Sequence, residues 1–171
     1  MSPYAEMTQL SADAWPGARP QAFASGNRTF VFKTQPPRLA NWSGKAQGTV
    51  VTISGGSETV IWSRELLNIP VQAFITDDGK HVVTCDTWAK LGYEHALVIY
   101  GDQGVVIADY NLERLLSAND IATSVSHTAT TRPWLKGATI TFDGSAEHIV
   151  IALHWGKVLR VALSTGNVDA S

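Results

Sequence analysis

The stretch Val71-Gln72-Ala73-Phe74-Ile75-Thr76-Asp77-Asp78-Gly79-Lys80-His81-Val82-Val83-Thr84-Cys85-Asp86-Thr87 decides how this chain is read. Two runs rich in β-branched and apolar residues flank Asp77-Asp78-Gly79-Lys80, where glycine supplies the positive φ that a tight reversal needs. The string predicts an antiparallel hairpin.

Working outward, 48–53 and 58–63 flank Ser54-Gly55-Gly56-Ser57 and predict a second hairpin. A third is predicted from 96–100 and 105–110 around Gly101-Asp102-Gln103-Gly104. The near-continuous apolar character of its arms predicts burial on both faces. Residues 29–33 read as an earlier strand, stopped by Pro36-Pro37. On the C-terminal side, 138–142, 148–154 and 157–163 read as strands, with turns at Asp143-Gly144 and Trp155-Gly156 and the last run ending at Ser164-Thr165-Gly166. Helical signal is confined to 111–125: Asn111 is a cap, Leu112, Leu115 and Leu116 share one face, and Asn119 or Asp120 caps a second short turn. Residues 1–27, with Pro3, Pro16, Gly17, Pro20 and Gly26, read as an irregular arm, and 28–171 as a single β domain.

Composition agrees. The 171 residues include 16 Thr, 15 Val and 10 Ile, and only 16% are charged, against about 25% in ordinary domains, which favours sheet. A net charge of −2 offers no counterion-release term for nucleic acid and no attraction to anionic lipid, so neither is an expected partner. The longest apolar runs are five residues, far short of the ~20 that span a bilayer. Residues 1–19 show no basic segment followed by an apolar stretch, so no export signal is read. One cysteine, Cys85, closes no intramolecular disulfide.

Residues 73–110 and 139–163 each run through an extended segment, an Asp-Gly turn, a β-branched run and a further strand. A spacing near 40 residues matches propeller blades, about four of which would fill this length. About three are visible, so the expected fold is a twisted antiparallel meander of propeller-like blades, an incomplete propeller with one or two short helices. The string Phe74-Ile75-Thr76-Asp77-Asp78-Gly79-Lys80-His81-Val82-Val83-Thr84-Cys85-Asp86-Thr87-Trp88 resembles the S-D-D-G-R-Y-V-V-T-x-D-x-W phrase of uncharacterised, often exported bacterial propeller-like proteins. The similarity continues through Gly92, 96–100, Gly104 and 112–116, with a weaker match at 163–166. It implies a fold class and an exported ancestry, and no chemistry.

Asp86, Trp88, Tyr93, Glu94 and His95 form the densest polar and aromatic cluster, where one strand leaves the sheet before the next enters. Loops displayed by a rigid sheet carry recognition, with aromatic rings to stack and carboxylates to fix polar groups. The same residues also fit a packing role, with Trp88 and Tyr93 over a sheet edge and Asp86 accepting backbone amides. Arg132 and Trp134 form a second candidate contact loop, alternatively an anchor returning the chain to the sheet.

Catalytic signatures are weak. The five histidines show no H-E-x-x-H spacing, and His148 and His154 would lie about 20 Å apart on one unbroken strand. No G-x-S-x-G string occurs, and Gly55-Gly56 lacks the Lys-Ser/Thr and helix of a P-loop. No metal or cofactor is expected. The reading is a non-enzymatic binding or protein-interaction module. Its alternatives are a small hydrolase or metal-dependent enzyme near Asp86 and His95, with His81 in support, and a structural oligomer formed by sheet-edge pairing.

Overall fold

A computed structural model describes residues 17–37 and 45–171. Twelve strands among these residues make three four-stranded antiparallel sheets, each a meander in chain order. The first holds β1 (Gln21–Ala24), β2 (Phe30–Gln35), β3 (Gln47–Ser54) and β4 (Ser57–Glu65). The second holds β5 (Gln72–Ile75), β6 (Val82–Cys85), β7 (Leu97–Tyr100) and β8 (Val106–Tyr110). The third holds β9 (Thr139–Phe142), β10 (His148–Ala152), β11 (Val158–Ala162) and β12 (Val168–Ala170). Two short helices, α1 (Leu112–Leu115) and α2 (Ala118–Ser124), join the second sheet to the third. The fold is all-β and its sheets have blade topology. The three predicted hairpins are β3–β4, β5–β6 and β7–β8.

Several boundaries differ from the sequence reading. Residues 21–24, expected inside an irregular arm, form β1 because Phe23 pairs with Phe32 and stacks on it at 6.4 Å. Residues 1–16 of the expected arm lie outside the described residues. A twelfth strand follows Gly166, where the last run was expected to end, and Arg160 pairs with Asp169 across it. Asn111 caps α1 as expected, accepting the Arg114 amide, but α2 is capped by Ser117 rather than Asn119 or Asp120.

The same six-residue turn joins the first two strands of every sheet. Ser25, Thr76 and Asp143 each donate a backbone N–H to the carbonyl five residues on, at Phe30, His81 and His148, and each accepts a backbone N–H from three residues on. That third position, Arg28, Gly79 or Ala146, has positive φ in all three turns. An oxygen on the side chain of the first residue accepts the amide of Phe30, His81 or His148. The third turn was expected to reverse at Asp143-Gly144, yet its left-handed residue is Ala146. Asn27 binds Asp77 through two hydrogen bonds of 2.8 and 2.9 Å and ties the first turn to the second.

The alternation of side chains explains how the sheets stack. Across the first sheet the registers align Phe23, Phe32, Val50 and Trp62 on one face, which packs on Ala73, Ile75, Val82, Val98 and Tyr100 of the second. Across the second, Phe74, Val83, Ile99 and Ala108 align and pack on Ile149, Ile151, Leu159 and Val161 of the third. The middle sheet is therefore covered on both sides, and β6 and β7 are buried at every residue, as their apolar runs predicted. The corresponding row of the third sheet reads Thr141, Val150, Arg160 and Asp169. Three of these four are exposed. On the opposite end, the outward face of the first sheet carries Lys33, Thr49 and Ser63, with Lys33 paired to Glu58 at 2.6 Å. The next row on that face of the first sheet is Val31, Val51 and Val60, with Val60 60% exposed, so this outward face mixes polar and apolar residues.

On that outward third face, the Asp143 carboxylate receives Arg160 at 2.8 Å and His148 Nδ1 at 2.9 Å. Partial burial opposes its ionisation, but the His148 amide, Arg160, Ser145 and the His148 ring hold its pKa well below the usual range. A carboxylate depressed in the folded state stabilises above its unfolded pKa of about 3.9, and that contribution is lost as pH falls toward the folded value. Asp143→Asn is expected to narrow the difference in urea midpoint between pH 7 and pH 3. An unchanged difference would refute this.

Candidate functional site

The two loops singled out in the sequence meet in the structure, where they form a locked junction. Asp86 follows β6 with a φ of 59° and is fully buried. Its Oδ1 accepts the Gly92 amide at 2.7 Å and the Trp134 indole N–H at 3.2 Å. Trp134 is 1% exposed and belongs to the core shared by the second and third sheets. Arg132 lies over the Tyr93 ring, 4.2 Å from its centroid, and its guanidinium bonds the Gly92 carbonyl and the Glu113 carboxylate. Two further hydrogen bonds complete the lock, the Arg132 backbone N–H donating to Leu91 O at 2.8 Å and the Tyr93 hydroxyl to Thr128 O at 2.9 Å. Gly92 is required here: its φ is 71°, and a Cβ would stand 2.5 Å from the Arg132 carbonyl.

This places the predicted residues in two groups. Asp86, Arg132 and Trp134 are buried, so the Arg132 and Trp134 side chains build the junction rather than present a contact loop. Trp88 is half-buried against both hydrophobic cores. Tyr93 and Glu94 are exposed on the rim, Glu94 paired with Lys90 at 3.1 Å. His95 is half-buried, and Asp109 is its hydrogen-bonded carboxylate, with Nδ1 at 2.9 and 3.0 Å from the two oxygens. Asp86, Ala89 and His95 all have positive φ, a local concentration of backbone strain held by the surrounding bonds. Cys85 is fully buried, and burial together with the Asp86 charge pushes its thiol pKa well up, so no thiolate forms there. His81 lies at the far end of β6 and is lowered by burial against the opposing pull of Asp78. Among the described residues no group of three or more His, Cys, Asp or Glu is arranged to hold a metal ion.

A second site was not anticipated. The first strands of the three sheets, β1, β5 and β9, converge on an open cleft of about 750 Å³. Its walls are Gln21, Phe23, Ala24 and Gly26 from the first sheet, 71–75 from the second, and Thr141 and Phe142 from the third. The lining is aromatic and aliphatic with two carboxamides and one hydroxyl, and carries no charged side chain. In small-molecule sites apolar area of this kind supplies affinity and a few polar groups fix orientation. One sequence signal points to it. Gln21-Ala22-Phe23 and Gln72-Ala73-Phe74 are the same tripeptide, set at the same distance before equivalent turns, and both Gln–Phe pairs line the cleft.

The sequence matches no protein-family model and no curated protein. Among the described residues no helix is long and apolar enough to cross a membrane.

Proposed function

We propose that this chain is a non-enzymatic binding module whose ligand seat is the cleft between β1, β5 and β9. The observation that carries the reading is the convergence of three first strands on one uncharged, aromatic-walled cleft. The 86–95 and 126–136 loops support it from outside, as a braced rim that exposes Tyr93, Glu94 and residues 126–130. The resemblance to propeller-like proteins agrees with a seat on the axis of the blades.

The test is a thermal-shift titration of the chain with neutral oligosaccharides and capped uncharged peptides, repeated on Gln72→Ala. A true ligand at one hundred times its Kd adds about 2.7 kcal/mol of stability. Gln72 is half-buried at the cleft wall, so its replacement is expected to change basal stability by about 0.5 kcal/mol or less. It should nevertheless remove most of the ligand-induced shift. Stabilisation that is indifferent to Gln72, or absent with every compound, would defeat the reading.

A further inference from the structure

We infer that a second copy of this chain closes the three sheets into a ring of six, the outward face of each copy's third sheet seating on the outward face of the other copy's first sheet. The sheets fan out from the cleft, which β1, β5 and β9 border together. At the far side of the second sheet, beyond β8, Leu112, Leu115 and Leu116 are wedged into the core that it shares with the third. Four-stranded meanders that radiate from a common axis are propeller blades, and closed propellers hold about four to eight of them. With three sheets in each chain, six is the one multiple inside that range, and it takes two copies.

The shared turn fixes which faces meet. Counted from it, Phe23, Phe74 and Thr141 are equivalent, and so are the cross-strand rows that they begin. The Phe23 and Phe74 rows each pack on the following sheet, and Thr141, Val150, Arg160 and Asp169 make the third row of that series. In the second sheet the receiving face holds Ala73, Ile75, Val82 and Tyr100. Their equivalents in the first sheet are Ala22, Ala24, Val31 and Val51, all small or β-branched. Val51 and Val60 line a groove of about 520 Å³ there, together with Lys33 and Glu58.

The two open faces are complementary in charge. The first sheet sets one cation and one anion, Lys33 and Glu58, around its valines, and the third sets Arg160 and Asp169 beside Val150. Such a mixed surface suits the docking of separately folded copies, whose interfaces are more polar than a domain core. A face four strands wide and about five residues long spans roughly 19 by 16 Å, so two junctions counted on both sides cover roughly 1,200 Å², above the roughly 1,000 Å² that a specific interface needs. Two identical junctions related by a two-fold axis close the assembly and leave neither open face uncovered. The cleft becomes half of an axial channel, whether or not a ligand occupies it.

The experiment is sedimentation velocity on the full chain over a wide concentration range, with one variant on each face. Ala22 is exposed, but its equivalent Ala73 is 4% exposed beneath the first sheet, so Ala22→Arg leaves the fold and obstructs the junction. Val150 is half-buried opposite Arg160, and Val150→Lys puts a second cation at the centre of the third face. The parent chain is expected to sediment as a dimer, and each variant, shown to be folded by circular dichroism, to weaken dimerisation at least tenfold. A monomer at every concentration would overturn the inference, as would growth beyond two copies, which marks an open series in place of a ring. A dimer indifferent to either variant would overturn the pairing of first sheet with third. The thermal titration of the cleft is read separately, so a failed ring leaves the binding reading to its own test.

Discussion

Replacing Trp134 by alanine is expected to destabilise the protein by about 3–5 kcal/mol, the cost of removing a large buried aromatic side chain and leaving a cavity. Trp134 is 1% exposed and packs in the core between the second and third sheets. The strand order contains no ladder between those sheets, so side-chain packing carries their association. The indole N–H adds a second effect, since it donates to Asp86 Oδ1 at 3.2 Å. Trp134→Phe keeps most of the apolar volume and loses that bond, so its cost should be smaller, about 1–3 kcal/mol. Urea denaturation of both variants measures the order. A Trp134→Ala cost below about 1 kcal/mol would mean that the site is a surface loop after all.

The contrast between Trp134 and its neighbours shows what a single sequence can carry. The β3–β4, β5–β6 and β7–β8 hairpins were legible because their turns use local chemistry: Gly55, Gly56 and Gly79 adopt positive φ, and Asp78 accepts the Lys80 amide. β1 was not legible, because its turn achieves the same hydrogen bonds with Ser25, Asn27 and a left-handed Arg28 in place of Thr76, Asp78 and Gly79. A glycine rule cannot see an arginine held in that conformation by its neighbours. β12 escaped for a different reason, since three residues with one half-buried valine show no measurable alternation and exist through pairing with β11.

Of the candidate sites, the 86–95 cluster was visible from residue types, yet its meaning depended on Trp134, which lies 48 positions from Asp86 and meets it only in the folded chain. The cleft was harder still. No residue in its lining is titratable or metal-ligating, so no chemical signature marks it in the sequence. The repeated Gln-Ala-Phe tripeptide was the available clue, and it gains meaning only once both copies are seen on first strands that face one another.

The series Asp86→Asn, Asp86→Gly and Asp86→Ala should separate hydrogen bonding from backbone strain at the junction. Asp86 is fully buried, and its Oδ1 serves two donors, the Gly92 amide and the Trp134 indole. Alanine leaves both donors without this acceptor, at about 1–3 kcal/mol for each buried unsatisfied group. It also places a methyl residue at a φ of 59°, where aspartate and asparagine are better tolerated and glycine is unstrained. Asparagine retains a carbonyl acceptor and the favourable left-handed tendency, so it should be the mildest of the three. Glycine loses the acceptor but releases the strain and should fall between. The expected order of stability is thus parent, Asn, Gly, Ala, with the alanine variant lower than the parent by about 3–5 kcal/mol, a buried polar network broken at its centre. Chemical denaturation gives the order directly. Alanine equal to asparagine would show that the carboxylate carries no bonding role in the interior, and glycine more stable than the parent would show that strain outweighs both hydrogen bonds.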